Sequence, residues 1–445
     1  MKETIRTGQG ARFRFSKAVP GFVRWMITTL ECEGFSGLIV GGAVRDMCMG
    51  REAEDWDLIT DAPGSAVKAI FSHLPCFQLH PDTVSLVLEG RTCHINTLKA
   101  GGGFREDLAR RDFTINAMAY EPGSGRLMDL FGGLKDIERR LVRATGSPAR
   151  RFDEDPLRLM RAVRFASTLG LDIESKTLEE IKRRSGAINR SAPERVRDEL
   201  MHILLAPAPS RGLRLMQRTG LLKEVLPEIA AGHLKRQNSY HRYTILRHTL
   251  ETVDRVEPTA ELRLAAFLHD SAKPMVRKRH EKGWRFVGHE EAGAGLSKEI
   301  LGRLRFSREI TAKVVHLVRH HMIGYSPQWS DAAVRRWIRR VGPGNVEAVL
   351  ALRRADLEAH GRPDAGQSLL SELAGRVEGM KRDPLSRGDL AVDGRTVMAV
   401  TGLQPGPEVG RILDRLLETV SEHPELNTKP ALVRLIEEER HEWIG

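Results

Sequence analysis

The apolar residues of this chain change period once, near residue 145, and no other feature limits the fold as much. Before that point short β-type runs, "GLIVGG" (37–42), "WDLIT" (56–60), "TVSLVLEG" (83–90) and "TCHINTL" (92–98), are separated by turn residues and interleaved with helical stretches such as "GSAVKAIFSHL" (64–74). After it, "SPARRFDEDPLRLMRAVRFASTLGL" (147–171) opens a long body of helical spacing with few strand candidates. An α+β head followed by an all-α body is therefore expected. Turn-rich "APAPSRG" (206–212), "RQNSYHRY" (236–243) and "GRPDAGQS" (361–368) punctuate the body. The expected domains are a head at 20–145, a helical neck at 146–205, a helical connector at 206–236, a histidine-rich helical domain at 237–365 and a helical tail at 366–445. No fixed-period repeat or low-complexity tract is present.

A chain of 445 residues is long enough for two to four domains, each with its own core. Its 70 Lys and Arg against 59 Asp and Glu leave a formal charge of +11, with arginine spread throughout. That balance favours a polyanionic partner over a membrane surface. Aromatics are only 5%, which argues against recognition on an aromatic platform of stacked bases. The four cysteines, Cys32, Cys48, Cys76 and Cys93, form no C-x-x-C pair and no metal or disulfide spacing, as expected of a reduced cytoplasm. No apolar run approaches the ~18 residues of a membrane span, and the first residues lack the apolar core of a leader.

"GLIVGG" reads as a strand entering a glycine turn, with "VRD" at the start of a helix. Gly41 and Gly42 would let a bulky anion approach the backbone. In "DWDLIT", Asp55 and Asp57 fall on one strand face, their Cα atoms roughly 6.5 Å apart. Two carboxylates so placed repel each other unless a cation lies between them. Oxygen ligands with open water positions suit Mg²⁺, and two such ions can clamp both oxygens of a phosphoryl transfer. A solvated acidic turn is the structural alternative.

"VGGAVRD" followed by "EDWDLIT" resembles the head of the class II tRNA nucleotidyltransferase and poly(A) polymerase family. "EDLARRDFTINAMAY" (106–120), "LMDLFGGLKDIERRLVRA" (127–144), "DEDPLRLMRAVRFAS" (153–167) and "PERVRDEL" (193–200) resemble its later motifs in order and spacing. The resemblance implies a polymerase-β-like head in which Asp55 and Asp57 hold Mg²⁺ while an RNA 3′ hydroxyl attacks the α-phosphate of an NTP. Nucleotide contacts are expected from Gly41, Gly42, Arg45, Asp46, Arg110, Arg111, Asp112 and Asn116. Arg110 and Arg111 offer charged forks to phosphate, and Asp112 and Asn116 stand at helix-like spacing.

On a helix, Glu154, Arg158 and Arg161 lie near one face, and Leu157, Met160 and Val163 form an apolar stripe. The structural alternative is a Glu154–Arg158 salt bridge one turn apart. Functionally, a carboxylate can accept from an exocyclic amine while an arginine donates to the neighbouring ring nitrogen. Cytosine and adenine match that pattern; uracil and guanine leave the arginine facing a donor, at ~1 to 3 kcal/mol per buried mismatch. In the resembled family an E-D-x-x-R segment has this role, and here it stands as Glu154, Asp155 and Arg158, with Arg161 one turn on.

The family adds CCA, CC alone, the terminal A alone, or poly(A). Between "CHINTLK" and "EDLARRDFT" only "AGGGFR" intervenes, whereas many relatives carry a longer loop there that contributes to switching from C to A. The short loop resembles the CC-adding pattern and implies CTP as substrate and a separate A-adding enzyme. ATP use, full CCA addition, A addition and poly(A) addition stay open. One departure is His94 in "HINTLK" (94–99), where relatives commonly carry an acidic residue, so no third metal carboxylate is assigned.

Further on, "YHRYTILRHTLETV", "LRLAAFLHDSAKP", "GHEEAGA", "VVHLVRHHM" and "RRADLEAH" supply His248, His269, Asp270 and Asp356, with His289, His320 and His321 as further candidates. Imidazoles and carboxylates together can hold one or two transition metals and activate water. The set resembles the HD phosphohydrolase superfamily, with "HDSAKP" departing from the usual His-Asp-Ile-Gly-Lys. An RNA-end hydrolase with a binding head is thus a second class of reading. "DGRTVMAVTGLQPGPEVGRILDRLLETV" (393–420) looks like the family's tRNA-gripping tail. The whole is expected to be elongated and multidomain.

Overall fold

The computed structural model describes residues 15, 18–80, 82–88, 91–99, 102–237, 242–281, 283–361, 365–380 and 383–443. The chain divides into two compact units, Met1–Val225 and Leu226–Gly445.

The first unit is built on a seven-stranded sheet of β1 (Gly37–Val40), β2 (Trp56–Thr60), β3 (Cys76–His80), β4 (Thr83–Leu88), β5 (Arg91–Thr97), β6 (Met118–Glu121) and β7 (Arg126–Asp129), in the order β3-β4-β5-β2-β1-β6-β7. Only β2 and β5 pair in parallel, with Asp57 opposite His94; Val40 of β1 faces Asp57 from the other side. Around the sheet lie α1 (Gly21–Cys32), α2 (Gly42–Cys48), α3 (Gly64–Ile70), α4 (Phe104–Arg110) and α5 (Gly133–Glu138).

The two-residue period of the strands divides the core between the two faces. Ile39, Trp56, Leu58 and Ile95 pack with Met26, Ile27 and Leu30 of α1, while Leu38, Val40 and Ile59 pack with Leu108 of α4. Asp57, between Trp56 and Leu58, therefore shares the face of Ile59 and α4. Asp55 lies just ahead of β2 rather than within it, and is exposed.

The four strands expected from the sequence are present. β3, β6 and β7 were not anticipated; they are only four or five residues long, and β6 and β7 pair through a tight turn. The rest of the unit holds α6 (Pro148–Glu154), α7 (Arg158–Thr168), α8 (Ser175–Arg184), α9 (Pro193–Leu204), α10 (Pro209–Thr219) and α11 (Leu221–Val225), with a small parallel pair, β8 (Leu141–Val142) and β9 (Asp172–Ile173), among them. Ser147 accepts from the Arg150 N–H and Pro148 takes the first helical position, a start signal that fixes where α6 begins.

The second unit contains α12 (Pro227–Ala230), α13 (Ile245–Arg255), α14 (Ala260–Leu268), α15 (Lys273–Val276), α16 (His289–Arg303), α17 (Arg308–His320), α18 (Asp331–Val341), α19 (Val346–Glu358), α20 (Ala365–Gly379), α21 (Gly394–Thr401), α22 (Pro407–Glu422) and α23 (Lys429–Trp443). A hairpin of β10 (Lys278–His280) and β11 (Gly283–Arg285) breaks the helical pattern. α21 to α23 close over their own core, with Val397, Leu416, Val420, Leu432 and Ile436 at its centre. No helix among the described residues is long and apolar enough to cross a membrane.

Candidate active site and candidate metal centre

β1 ends at Gly41, whose φ of 76° and ψ of −130° disfavour any L side chain. Space adds a second reason: a Cβ there would meet Arg111 Nη1 at 2.7 Å and lie 3.6 Å from Asp57 Oδ2. Gly41 thus lets the Arg111 guanidinium settle against the β1–α2 turn beside Asp57. At Gly42 a Cβ would meet only Arg45, at 3.6 Å, so close approach does not demand a glycine there.

A cleft of about 1200 Å³ opens on this turn. It is lined by Gly41, Gly42, Arg45, Asp55, Asp57, Arg110, Arg111, Asp112, Asn116, Glu154, Asp155, Arg158 and Arg161, which is every head and neck position expected to meet the nucleotide except Asp46. Asp46 grips Arg45 with both oxygens, at 2.9 and 2.8 Å, and so aims that arginine. Arg45 donates to Asn116 Oδ1 at 2.9 Å, and Asn116 Nδ2 to Asp112 Oδ1 at 3.1 Å. Asp112 also accepts from the Phe113 N–H and from Arg161 Nε, both at 2.8 Å. Asp112 and Asn116 therefore line the cleft with their polar atoms already engaged in its frame. They are not on one helix: α4 stops at Arg110, and Thr114–Asn116 forms a single 3₁₀ turn.

The segment expected to read the base is likewise not one helix. α6 ends at Glu154 and α7 begins at Arg158, with Asp155 extended at φ −148° and ψ 101°. Pro156 is the cause, because its ring disfavours the helical region for the residue before it. The break separates the supports of Asp155 and Arg158. Asp155 is held from α9 by Arg195, at 2.9 and 3.4 Å, and accepts the Leu157 N–H. Arg158 donates to the carbonyls of Arg110 and Arg151, at 2.9 and 3.2 Å, and to Glu154 at 3.2 Å. Glu154 also takes Arg150 and Arg151, so its carboxylate serves as a brace, and the Glu154–Arg158 salt bridge is formed.

Burial pushes the Asp57 carboxyl up, only partly offset by Arg111 and His94, and Asp55 adds repulsion. A divalent cation at this carboxylate would relieve that cost, and the oxygen-only pair Asp55 and Asp57 fits Mg²⁺. On β5, His94 takes the place beside Asp57, and its Nδ1 lies 2.8 Å from Ser85 Oγ.

In the second unit a candidate metal centre is laid out from three helices, α13, α16 and α19, and from the residues that follow α14 and α17. His269, His289 and His321 set Nδ1 against the carbonyls of Ala266, Phe286 and Val318, at 2.8, 2.8 and 2.6 Å, and His248 Nδ1 is 3.3 Å from the Ala359 carbonyl. With Nδ1 so engaged, each imidazole turns Nε2 toward the cluster, that of His248 lying 2.8 Å from Asp356 Oδ1. Two groups of donors gather: His248, His269 and Asp356; and Asp270, His289 and His321. Asp270 stands between them, its oxygens 3.2 Å from His269 Nε2 and 3.5 Å from His289 Nε2.

All six residues are buried, yet His269 Nε2, both Asp270 oxygens, His289 Nε2 and His321 Nε2 have no hydrogen-bond partner among the described residues. Lys273 Nζ lies 2.7 Å from Asp270 without the alignment of a hydrogen bond. Five orphaned ligand atoms in one buried cluster are what a site for one or two transition metals requires. Burial lowers the basicity of His269, but Asp270 and Asp356 outweigh it and push the ring up to about 10. Burial and the neighbouring His269 and His289 push His321 down to about 3.

Residues 38–100 and 78–143 match the model of the poly A polymerase head domain, residues 170–232 that of the probable RNA and SrmB-binding site of polymerase A, and residues 240–359 that of the HD domain. The CC-adding tRNA nucleotidyltransferase of Thermus thermophilus is 37% identical over 407 residues, 86% of this chain and 89% of that protein. This chain belongs to the tRNA nucleotidyltransferase family. The A-adding tRNA nucleotidyltransferase of Deinococcus radiodurans is 32% identical over 85% of this chain and 90% of that one. Among solved structures, the Bacillus stearothermophilus CCA-adding enzyme in complex with CTP superposes with a TM-score of 0.69 at 26% identity, over 94% of this chain and 97% of that one.

As a nucleotidyltransferase of this family with an HD domain, the chain brings together every expected HD position but one. His320 stacks on His316, ring centroids 4.5 Å apart, outside the metal cluster. The helix period explains why: Val314, Leu317 and Val318 form the buried stripe of α17, and position 321 continues it while 320 does not. His360 was missed. It lies one turn beyond Asp356, Nε2 3.7 Å from Oδ1, and packs on His248. Arg164 and Phe165 were also missed in the head cleft, where the Arg164 guanidinium lies 4.3 Å from the Phe165 ring centroid. Arg164 follows Arg161 at helical spacing, which was the available signal.

Proposed function

We propose that this chain adds two cytidylates, without a nucleic-acid template, to the 3′ end of tRNA. The observation that carries the reading is the pair Asp155 and Arg158, held by separate braces in the cleft that contains Asp57. Asp155 accepts from the exocyclic amine of the incoming base and Arg158 donates to its ring nitrogen, which admits cytosine and adenine and rejects uracil and guanine. Arg110 and Arg111 bind the triphosphate, and Gly41 keeps the turn open for it. The terminal ribose hydroxyl of the tRNA forms the new O–P bond at the α-phosphorus as the bond to the bridging oxygen breaks and pyrophosphate leaves. Mg²⁺ held by Asp55 and Asp57 would supply charge neutralisation at the attacking and leaving oxygens.

The reading pair accepts both bases, so the choice between C and A rests elsewhere. Six residues, 98–103, link β5 to α4, two of them outside the described residues. So short a connection is a poor lever for reshaping the pair between additions, and the likeness to the Thermus CC-adding enzyme supports the same conclusion. CTP is then the substrate and a separate enzyme adds the final A. The likeness to the A-adding enzyme of Deinococcus supports the second reading, ATP-dependent completion of a CC end. In the HD domain, the orphaned ligand atoms support metal-dependent hydrolysis of a phosphoester at an RNA end.

The test uses three tRNA transcripts, ending at the discriminator base, at C and at CC, each given CTP or ATP alone and then both, with Mg²⁺. Two C additions and no A are expected. Addition of A to the CC-ended tRNA would sink the CC-only reading and leave the family unchanged.

A further inference from the structure

Several arginines of the second unit face carboxylates: Arg303 holds Glu228, Arg319 holds Glu291, Arg335 holds Asp383 and Arg376 holds Asp331. The β10–β11 hairpin gathers cations without such partners. Lys278, Arg279 and Arg285 are exposed, and none makes an ion pair among the described residues, although the exposed acid Glu281 lies in the same hairpin. Lys278 stands directly opposite Arg285 in the antiparallel register. Like charges facing each other across two strands destabilise the pair, and an anion between them removes the repulsion.

A groove of about 590 Å³ runs along these cations, with Met275 and Val287 on its wall, 72% and 83% exposed. Beside it the Arg277 guanidinium lies 3.5 Å from the centroid of the Trp284 ring. Both legs of the hairpin stand on the metal centre. β10 follows α15, whose first residue, Lys273, lies against Asp270. β11 is followed by Phe286, Val287 and Gly288 and then by His289, a member of the second donor group.

We propose that this hairpin is a docking surface for single-stranded RNA, whose end it delivers to the HD metal centre. Unpaired cations track a phosphate backbone, and the exposed apolar side chains of Met275 and Val287 at the same place give splayed bases a contact that no double helix offers. A bilayer would call for an amphipathic helix with an apolar face to insert, whereas this is a cationic hairpin. The inference rests on reading the centre as one that acts on RNA ends, and a crosslinking test that needs no turnover separates the two.

Full-length protein is irradiated with oligo-uridylate carrying 4-thiouridine near its 3′ end, and the crosslinked peptides are mapped by mass spectrometry. The comparison is the triple variant Lys278→Ala, Arg279→Ala, Arg285→Ala, which relieves a repulsion and so keeps the wild-type thermal transition. Crosslinks are expected between residues 273 and 289, at least tenfold weaker in the variant. The slope of log affinity against log salt falls by about 2 in magnitude, while CTP incorporation into tRNA stays unchanged. Crosslinks confined to residues 1–225, or undiminished in the variant, would overturn the proposal. So would variant-sensitive binding to phosphatidylserine vesicles without crosslinking to RNA. Variant-sensitive crosslinks in a metal-loaded protein that fails to hydrolyse bis(p-nitrophenyl) phosphate would uphold the docking surface and sink only the hydrolytic reading.

Discussion

Arg161 of α7 donates from Nε to Oδ2 of Asp112 at 2.8 Å, tying a helix beyond the Pro156 break to the turn that frames the nucleotide cleft. Burial by itself pushes the Asp112 carboxyl up, but Arg161, the Asn116 amide and the Phe113 N–H outweigh it and hold the group below the ordinary carboxylate value. A depressed folded-state value means that the contribution is present above the unfolded pKa of about 3.9 and is lost as pH falls through the folded value. Asp112→Asn should cost about 2 to 4 kcal/mol at pH 7, because Arg161 loses its buried partner. Urea unfolding across pH would show the gap between wild type and variant closing below about pH 4; a gap independent of pH would refute this origin.

Replacing Asp57 by Asn should separate catalysis from stability. On the Mg²⁺-holding role proposed for it, loss of this carboxylate removes several kcal/mol of transition-state stabilisation, so CTP incorporation should fall by about a thousandfold or more. The melting temperature should hold or rise, since burial already disfavours the charged carboxylate. A destabilised variant with near-normal turnover would contradict the assignment.

The base reading proposed for Asp155 and Arg158 predicts a change of letter. Asn at position 155 can turn an amide N–H₂ toward O4 of uracil, whereas Asp155 can only accept. In Asp155→Asn the ratio of UTP to CTP incorporation should rise about tenfold, the size of one rescued hydrogen bond. Arg195→Ala, which frees Asp155 without removing it, should raise KM for CTP and leave kcat nearly intact. Unchanged base selection in Asp155→Asn would move the reading function elsewhere.

The HD centre should fail alone. His269→Ala and Asp270→Asn should each weaken transition-metal affinity by about 10- to 100-fold or more, measured by elemental analysis after dialysis against a weak chelator. Nucleotide incorporation on tRNA should persist in both. Full metal content in either variant would show that the clustered Nε2 atoms are not the ligands.

The cleft was largely legible because its motifs are local. "GLIVGG" and "DWDLIT" announce themselves as short apolar β-type runs beside a glycine turn, and β1 and β2 bring them side by side. What was lost is what depends on non-local pairing or on a single residue's phase. β6, four residues long, gains its identity only by pairing with β1 and β7. Residue type shows that Asp112 and Asn116 carry donors and acceptors in the cleft but not which of them are already taken. The choice between His320 and His321 was available in the apolar stripe of α17, and the break at Asp155 in the proline after it.

That proline has one further consequence. With the helix interrupted, Asp155 is held from α9 through Arg195, while Arg158 is held by the carbonyls of Arg110 and Arg151 and by Glu154. On the base reading proposed for them, the two jaws of the letter grip thus take their positions from different partners. A change in one set of partners acts first on one jaw, so descendants of such a protein could move from one base to another by single steps, each of which still grips half of the letter.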